Sequence, residues 1–197
     1  NTFVGKGAGY SNTTGEHHTA LGQNALYSNS TGNSNTALGS DSMYTNTTGH
    51  GNVAIGRGAL YYNTSGINNT AIGPYSAASA TAALFRNTTG SYNIALGKGA
   101  LNSNTTASSN TAVGYHAGYA NQTGVSNVAI GTDALKYNTT NYNTAVGAYA
   151  SDAVSTGQMT TSVGYGALSA STSPDYNTAI GGYSLIQTTT GANNTAV

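Results

Sequence analysis

Asn52-Val53-Ala54-Ile55-Gly56 recurs 17 residues earlier as Asn35-Thr36-Ala37-Leu38-Gly39 and 17 residues later as Asn69-Thr70-Ala71-Ile72-Gly73. Its closing glycine returns at Gly5, Gly22, Gly39, Gly56, Gly73, Gly97, Gly114, Gly131, Gly147, Gly164 and Gly181. The interval is 17 except for 24 between Gly73 and Gly97 and 16 between Gly131 and Gly147. A period this short and regular predicts a solenoid, in which each unit stacks on the next. It moves the functional expectation from a single active site towards a fibre or an extended binding surface.

Each coil is numbered here from the asparagine. Position 2 is β-branched in every coil, from Thr2 and Thr19 to Thr195, with Val53, Ile94 and Val128 among them. Position 4 is always Val, Leu or Ile, from Val4 to Val197, and position 3 is Ala except for Phe3 and Ser162. Such a segment predicts a short strand with positions 2 and 4 on one face and 3 and 5 on the other. The aliphatic face is expected to build a thin core. Ala25-Leu26, Ala59-Leu60, Ala100-Leu101, Ala134-Leu135 and Ala167-Leu168 predict a second short strand. Turns of the type Asn12-Thr13-Thr14-Gly15 follow, where Asn and Gly accommodate positive φ. No helical stripe of period 3.6 persists, and the strict aliphatic identity of position 4 argues against a disordered coil.

The fold class is therefore all-β: a parallel β-roll of 11–12 coils forming one repeat domain over 1–197. At about 4.8 Å per coil the rod is on the order of 55 Å long. Seven extra residues within 74–82 predict a loop bulging from one coil, and one residue lost near Asn141 a shortened turn. The chain begins and ends inside repeats, at Asn1-Thr2 and Ala196-Val197, as a segment of a longer fibre would. The Ala/Gly face suggests close approach of another flat surface, and a 17-residue coil has little core of its own. Both observations favour side-by-side assembly of identical rods, with a threefold bundle as the expected geometry. The alternative is a monomeric roll whose two sheets share the Ala face.

Only 5% of the 197 residues are charged and the net charge is zero, against roughly 25% charged in ordinary domains. No basic footprint for nucleic acid exists. Without Cys there are neither disulfides nor thiolate metal sites, and no apolar run approaches the roughly 20 residues that span a bilayer. No membrane insertion by this segment is expected. An Asn/Thr/Ser-rich, charge-poor repeat suits an extracellular location, at a cell or virion surface.

Asn52-Val53-Ala54-Ile55-Gly56 and Asn127-Val128-Ala129-Ile130-Gly131 resemble the head repeats of trimeric autotransporter adhesins. The longer unit, with Ala-Leu-Tyr and Asn-Thr-Thr-Gly, is similar to repeats in bacteriophage tail fibres. The resemblance covers essentially the whole chain. It implies a left-handed parallel β-roll, assembly as a homotrimer and a role in attachment to a host cell or surface.

Enzyme signatures are missing, and no catalytic residue, cofactor or metal is expected. Asp41 and Asp133 share a coil position but lie five coils apart, about 24 Å, too far for paired work on a sugar. Asp133 and Asp152 occupy neighbouring coils at different positions. His17, His18, His50 and His116 lack zinc-site spacing, leaving His17-His18 as a loose metal pair or a solvated turn. Two ladders carry more information. Position 10 is Tyr10, Tyr27, Tyr44 and Tyr61, then Phe85 and later Tyr119. Stacked, these rings either stabilise successive coils or offer a glycan-contacting stripe, the mark of a carbohydrate-binding module. Position 12 is Asn12, Asn29, Asn46, Asn63, Asn87, Asn104, Asn121 and Asn138, a structural amide ladder. The Thr column at position 2 is reminiscent of ice-binding solenoids, but sharing a face with Leu, Ile and Val predicts burial.

Overall fold

Every repeated pentapeptide forms a short strand. The computed structural model describes residues 1–75, 80–173, 175–187 and 189–197. Its strands are β1 (Thr2–Val4), β2 (Thr19–Leu21), β3 (Thr36–Leu38), β4 (Val53–Ile55), β5 (Thr70–Ile72), β6 (Ile94–Leu96), β7 (Thr111–Val113), β8 (Val128–Ile130), β9 (Thr144–Val146), β10 (Thr161–Val163), β11 (Thr178–Ile180) and β12 (Thr195–Ala196). They make one parallel sheet in chain order. The protein is an all-β parallel solenoid of about eleven turns, with no helix among the described residues.

Register pairs like with like: Thr19 with Thr36, Ala20 with Ala37, Leu21 with Leu38. Both breaks in the period are absorbed without a slip. Thr70 still pairs with Ile94 across the insertion, and Val128 with Thr144 across the deletion. At the deletion Thr140 occupies the turn. Its carbonyl accepts from Asn138 Nδ2 and Asn127 Nδ2, and its hydroxyl donates to Asn138 Oδ1. The bulging loop expected within 74–82 falls partly on 76–79, outside the described residues.

The facing of the strand is the reverse of the sequence expectation. Position 3 points inward: Ala37, Ala54, Ala71, Ala95, Ala112 and Ala145 are wholly buried. Positions 2 and 4 point out, with Leu21 50% and Ile72 37% exposed. The reason is the narrow interior. The strand alanines share their space with Leu26, Leu60, Leu84, Leu101 and Leu135 at position 9, in one continuous core. A large residue from one wall leaves room for only a methyl from the other. In two coils a departure on one side is matched on the other, whereas at Gly118 the leucine of the preceding coil, Leu101, lies against the glycine. Gly9 replaces the position-9 leucine in the first coil, and the ring of Phe3 occupies the space where a Cβ on Gly9 would stand. Ser151 replaces it in the ninth, and its hydroxyl donates to Ser162 Oγ at 2.8 Å.

The second strand expected at Ala-Leu does not form. Leu26, Leu60, Leu101 and Leu135 adopt left-handed φ of 54°, 55°, 48° and 48°. A strand cannot turn twice in so few residues, and this conformation supplies the corner. A non-glycine residue in it costs on the order of 1 kcal/mol. Intercoil hydrogen bonds offset that cost: Leu26 N donates to Ser42 O at 2.9 Å and Leu60 N to Ala83 O at 3.1 Å.

Candidate functional site

A buried amide column, at position 1, positions the strands. Asn52 N donates to Asn35 Oδ1 at 3.0 Å, and Asn69 N to Asn52 Oδ1 at 2.9 Å. Meanwhile Asn52 Nδ2 donates to Gly66 O and Asn69 Nδ2 to Gly90 O, both at 2.9 Å. Each side chain thus satisfies a strand-entry N–H that burial would otherwise orphan, and shares a turn carbonyl with the position-12 asparagine, since Asn63 Nδ2 also donates to Gly66 O and Asn87 Nδ2 to Gly90 O. The column was legible as an asparagine at nearly every position 1, yet sequence reasoning used it only to set the numbering.

The position-12 ladder is continuous over its first six members. Nδ2 of Asn29, Asn46, Asn63, Asn87 and Asn104 donates to Oδ1 of the preceding asparagine at 2.7–2.8 Å. It stops there. Asn104 Oδ1 has no partner, Asn121 Nδ2 turns to Gly124 O, and Asn138 Oδ1 accepts from Asn143. Asn121 and Asn138 therefore stand outside the ladder they were expected to extend: members such as Asn46 and Asn63 bond both their own turn carbonyl and the preceding amide, whereas Asn121 and Asn138 keep only the bond to the turn.

Position 10 gives a true ring stack. Tyr10, Tyr27, Tyr44 and Tyr61 lie at centroid spacings of 4.9, 5.1 and 5.1 Å and within 8° of parallel. Their faces cover one another, leaving edges and hydroxyls to solvent. Burial pushes the Tyr61 phenol up, with Tyr44 and Tyr62 adding to it. Phe85 follows at 5.5 Å but tilted by 33°. Tyr119 is not in the stack; it packs on His116 at 4.6 Å. Asn102 holds position 10 between Phe85 and Tyr119 instead, and its Nδ2 donates to Ala80 O and Ala82 O, pinning the end of the insertion.

At the insertion the stack opens into a cleft of about 450 Å³. Position 7 runs Asn24, Asp41, Gly58, Tyr75 through successive coils, so Gly58 is a missing side chain in that column. Tyr61, Tyr62 and Phe85 form one wall, with Tyr62 edge-on to both neighbours at 4.7 and 5.2 Å. The Arg57 guanidinium sits 4.9 Å from the Tyr75 ring centre. Asp41 accepts from Asn24 Nδ2 at 3.1 Å and from Ser40 Oγ at 2.9 Å.

The charged residues sort themselves by column. His116 and Asp133 hold position 7 in consecutive coils and stand 3.6 Å apart, with Lys136 3.4 Å from the same carboxylate. Burial pulls the His116 imidazole down; Asp133 opposes this, and Lys136 and Lys98 reinforce it. Burial also raises the Asp152 carboxyl, and nearby Asp133 adds to the effect. His17 and His18 part company. The side chain of His17 is 78% exposed, whereas His18 is buried and its Nδ1 accepts from Asn35 N at 3.2 Å. His18 is a member of the position-1 column, not half of a metal pair. Among the described residues no three His, Asp or Glu side chains converge on a metal-sized site. No helix among the described residues is long and apolar enough to cross a membrane.

On the opposite wall, the outward face of the sheet carries two straight columns. One is Thr in nine coils and Val53, Ile94 and Val128 in the others; the second is Val, Leu or Ile in all twelve. Expected burial of this Thr column is thus corrected: both columns face out because the space opposite the position-9 leucines admits little more than a methyl.

No family model, curated protein or solved structure matches the chain. What the protein does must come from these surfaces.

Proposed function

We propose that the protein is a non-catalytic rod segment of an extracellular fibre, on a virion or a cell, built from three copies packed through the outward face of their sheets. The observation that carries this reading is the unbroken aliphatic column at position 4. Aliphatic side chains in line at about 4.8 Å spacing form a stripe about 53 Å long. A continuous exposed apolar stripe of that extent marks an interaction surface. An identical repeating face is matched best by a copy of itself, in register, which suits parallel rods. The left-handed coil and the threefold number follow the adhesin resemblance, and the role is attachment at a distance through stiffness, length and multivalent display. The strand alanines, expected from the sequence to face a neighbouring rod, line the core, and the aliphatic face takes their place at the surface. The test is the mass of the protein in solution. Three copies are expected, and replacing Ile72 and Val113 by Glu should release single chains that keep their β signal.

A second reading rests on the outward Thr column. Regular, flat, hydroxyl- and methyl-bearing faces suit ice, but such a face must stay uncovered. Thermal hysteresis from a monomer would favour it over the fibre.

A further inference from the structure

We infer that the cleft at Gly58 is a binding site for a single neutral hexopyranose unit of a glycan. Three observations converge there, none of which the fibre reading uses. First, the space is built. A glycine at position 7, with φ +64°, removes the side chain that Asn24, Asp41 and Tyr75 supply in neighbouring coils. The insertion begins in the next coil, where Tyr75 stands beside the gap, 3.3 Å from where a Cβ on Gly58 would lie. The resulting volume lies within the range of about 300–1,000 Å³ typical of small-molecule sites.

Second, this is where the ring stack stops covering its own faces. Between Tyr10 and Tyr61 the rings are parallel and cover one another's facing sides, only the outer side of the terminal Tyr10 being open. At the cleft Tyr62 stands 69° from Tyr61 and 80° from Phe85, and Tyr75 is tilted 37° from Phe85. The negatively polarised ring faces so exposed suit the C–H face of a pyranose. The glycan contact expected along the ladder is thereby confined to its end.

Third, the polar groups are the right pair. Arg57 makes no ion pair among the described residues, so its donors remain available. Asp41 is a pure acceptor, held in place by Asn24 and Ser40. One acceptor and one donor fork on a mixed aromatic wall match vicinal hydroxyls. Because the two charges balance, a neutral sugar fits better than an anionic one.

The test uses the intact chain with methyl glycosides of glucose, galactose and mannose, followed by saturation-transfer NMR and calorimetry. At least one is expected to bind with a millimolar dissociation constant, as a ligand of about a dozen heavy atoms does. Gly58→Asn, which copies the Asn24 side chain into the gap and tolerates the backbone, should abolish binding while leaving the thermal transition in place. Asp41→Asn and Tyr62→Ala should each weaken binding about tenfold. Tyr62 is on the rim and exposed, so its replacement tests the site even if Gly58→Asn fails to fold. Tyr10→Ala, at the far end of the stack, should change nothing. Absence of binding by all three glycosides at tens of millimolar, or binding indifferent to both Gly58→Asn and Tyr62→Ala, overturns the assignment. Stronger binding of glucuronic acid than of any neutral glycoside, lost in Arg57→Gln, overturns the neutral-sugar part. None of these outcomes depends on the number of chains in the assembly.

Discussion

The strand wall and the turn wall of each coil obey different rules. Along the strand wall both faces repeat: alanine inward, and Thr with Val, Leu or Ile outward. Along the turn wall the inward residues and the first four rings of position 10 repeat, while outward position 6 runs through Lys6, Gln23, Ser40, Arg57, Pro74, Lys98 and Tyr115. Packing explains constancy on an inward face, since a narrow core admits few shapes. It does not explain constancy on an outward one. A free surface has no reason to keep twelve aliphatic side chains in line, and the turn wall shows what drift looks like where nothing is covered. The difference supports the proposal that the strand wall serves assembly, and leaves the turn wall for local features such as the Gly58 cleft.

The sharpest way to break the strand wall is at its closing glycine. Gly39 has φ +129°, and an added Cβ would stand 2.7 Å from the Gly56 carbonyl carbon. Gly39→Ala should therefore cost roughly 3 kcal/mol or more, read by denaturant unfolding. Asn69→Ala comes next. It leaves Asn93 N without its partner in a buried column, while Gly90 O keeps the bond from Asn87 Nδ2, an expected loss of about 1–3 kcal/mol in the same measurement. The equivalent change at the broken end of the turn-wall ladder, Asn121→Ala, should cost less, because Asn121 serves only its own turn.

Much of this was open to a reader of the chain. The period, the strand positions, the register through the insertion and deletion, and the first stretch of both ladders all follow from spacing. The facing of the strand did not, because alternation defines two faces without saying which is inside. The usual rule puts the larger apolar residue in the core. Here coil thickness overrides it, since Leu at position 9 already fills the section. Nor could spacing show that Ala-Leu turns a corner, that Phe3 stands in for the leucine missing at Gly9, or that Asn102 leaves the ring stack to pin Ala80 and Ala82. The cleft was hidden for the same reason: glycine recurs at position 7, as Gly7, Gly58, Gly99 and Gly166, and spacing does not show which of them has open space and aromatic rings around it.

A smaller effect comes with pH. Burial lowers the His18 imidazole below its ordinary value, against hydrogen bonds with Gly32 and Asn35 that raise it. The folded state therefore disfavours the proton. Stability is full above the unfolded value of about 6.5 and declines as pH falls from there towards the lower folded value. His116 is shifted in the same direction. Melting temperature should fall between about pH 7.5 and pH 5, and His18→Asn, the residue of its column, should remove part of that slope. An unchanged slope in His18→Asn would show that the position-1 column does not hold His18 neutral.

The difference between the two walls is tested most directly by the absolute mass of the protein in solution, by light scattering or native mass spectrometry. A species three times the 19.7 kDa chain is expected, falling to 19.7 kDa when Ile72 and Val113 on the strand wall become Glu. A wild-type protein that stays at 19.7 kDa at high concentration would contradict the assignment of the strand wall to assembly.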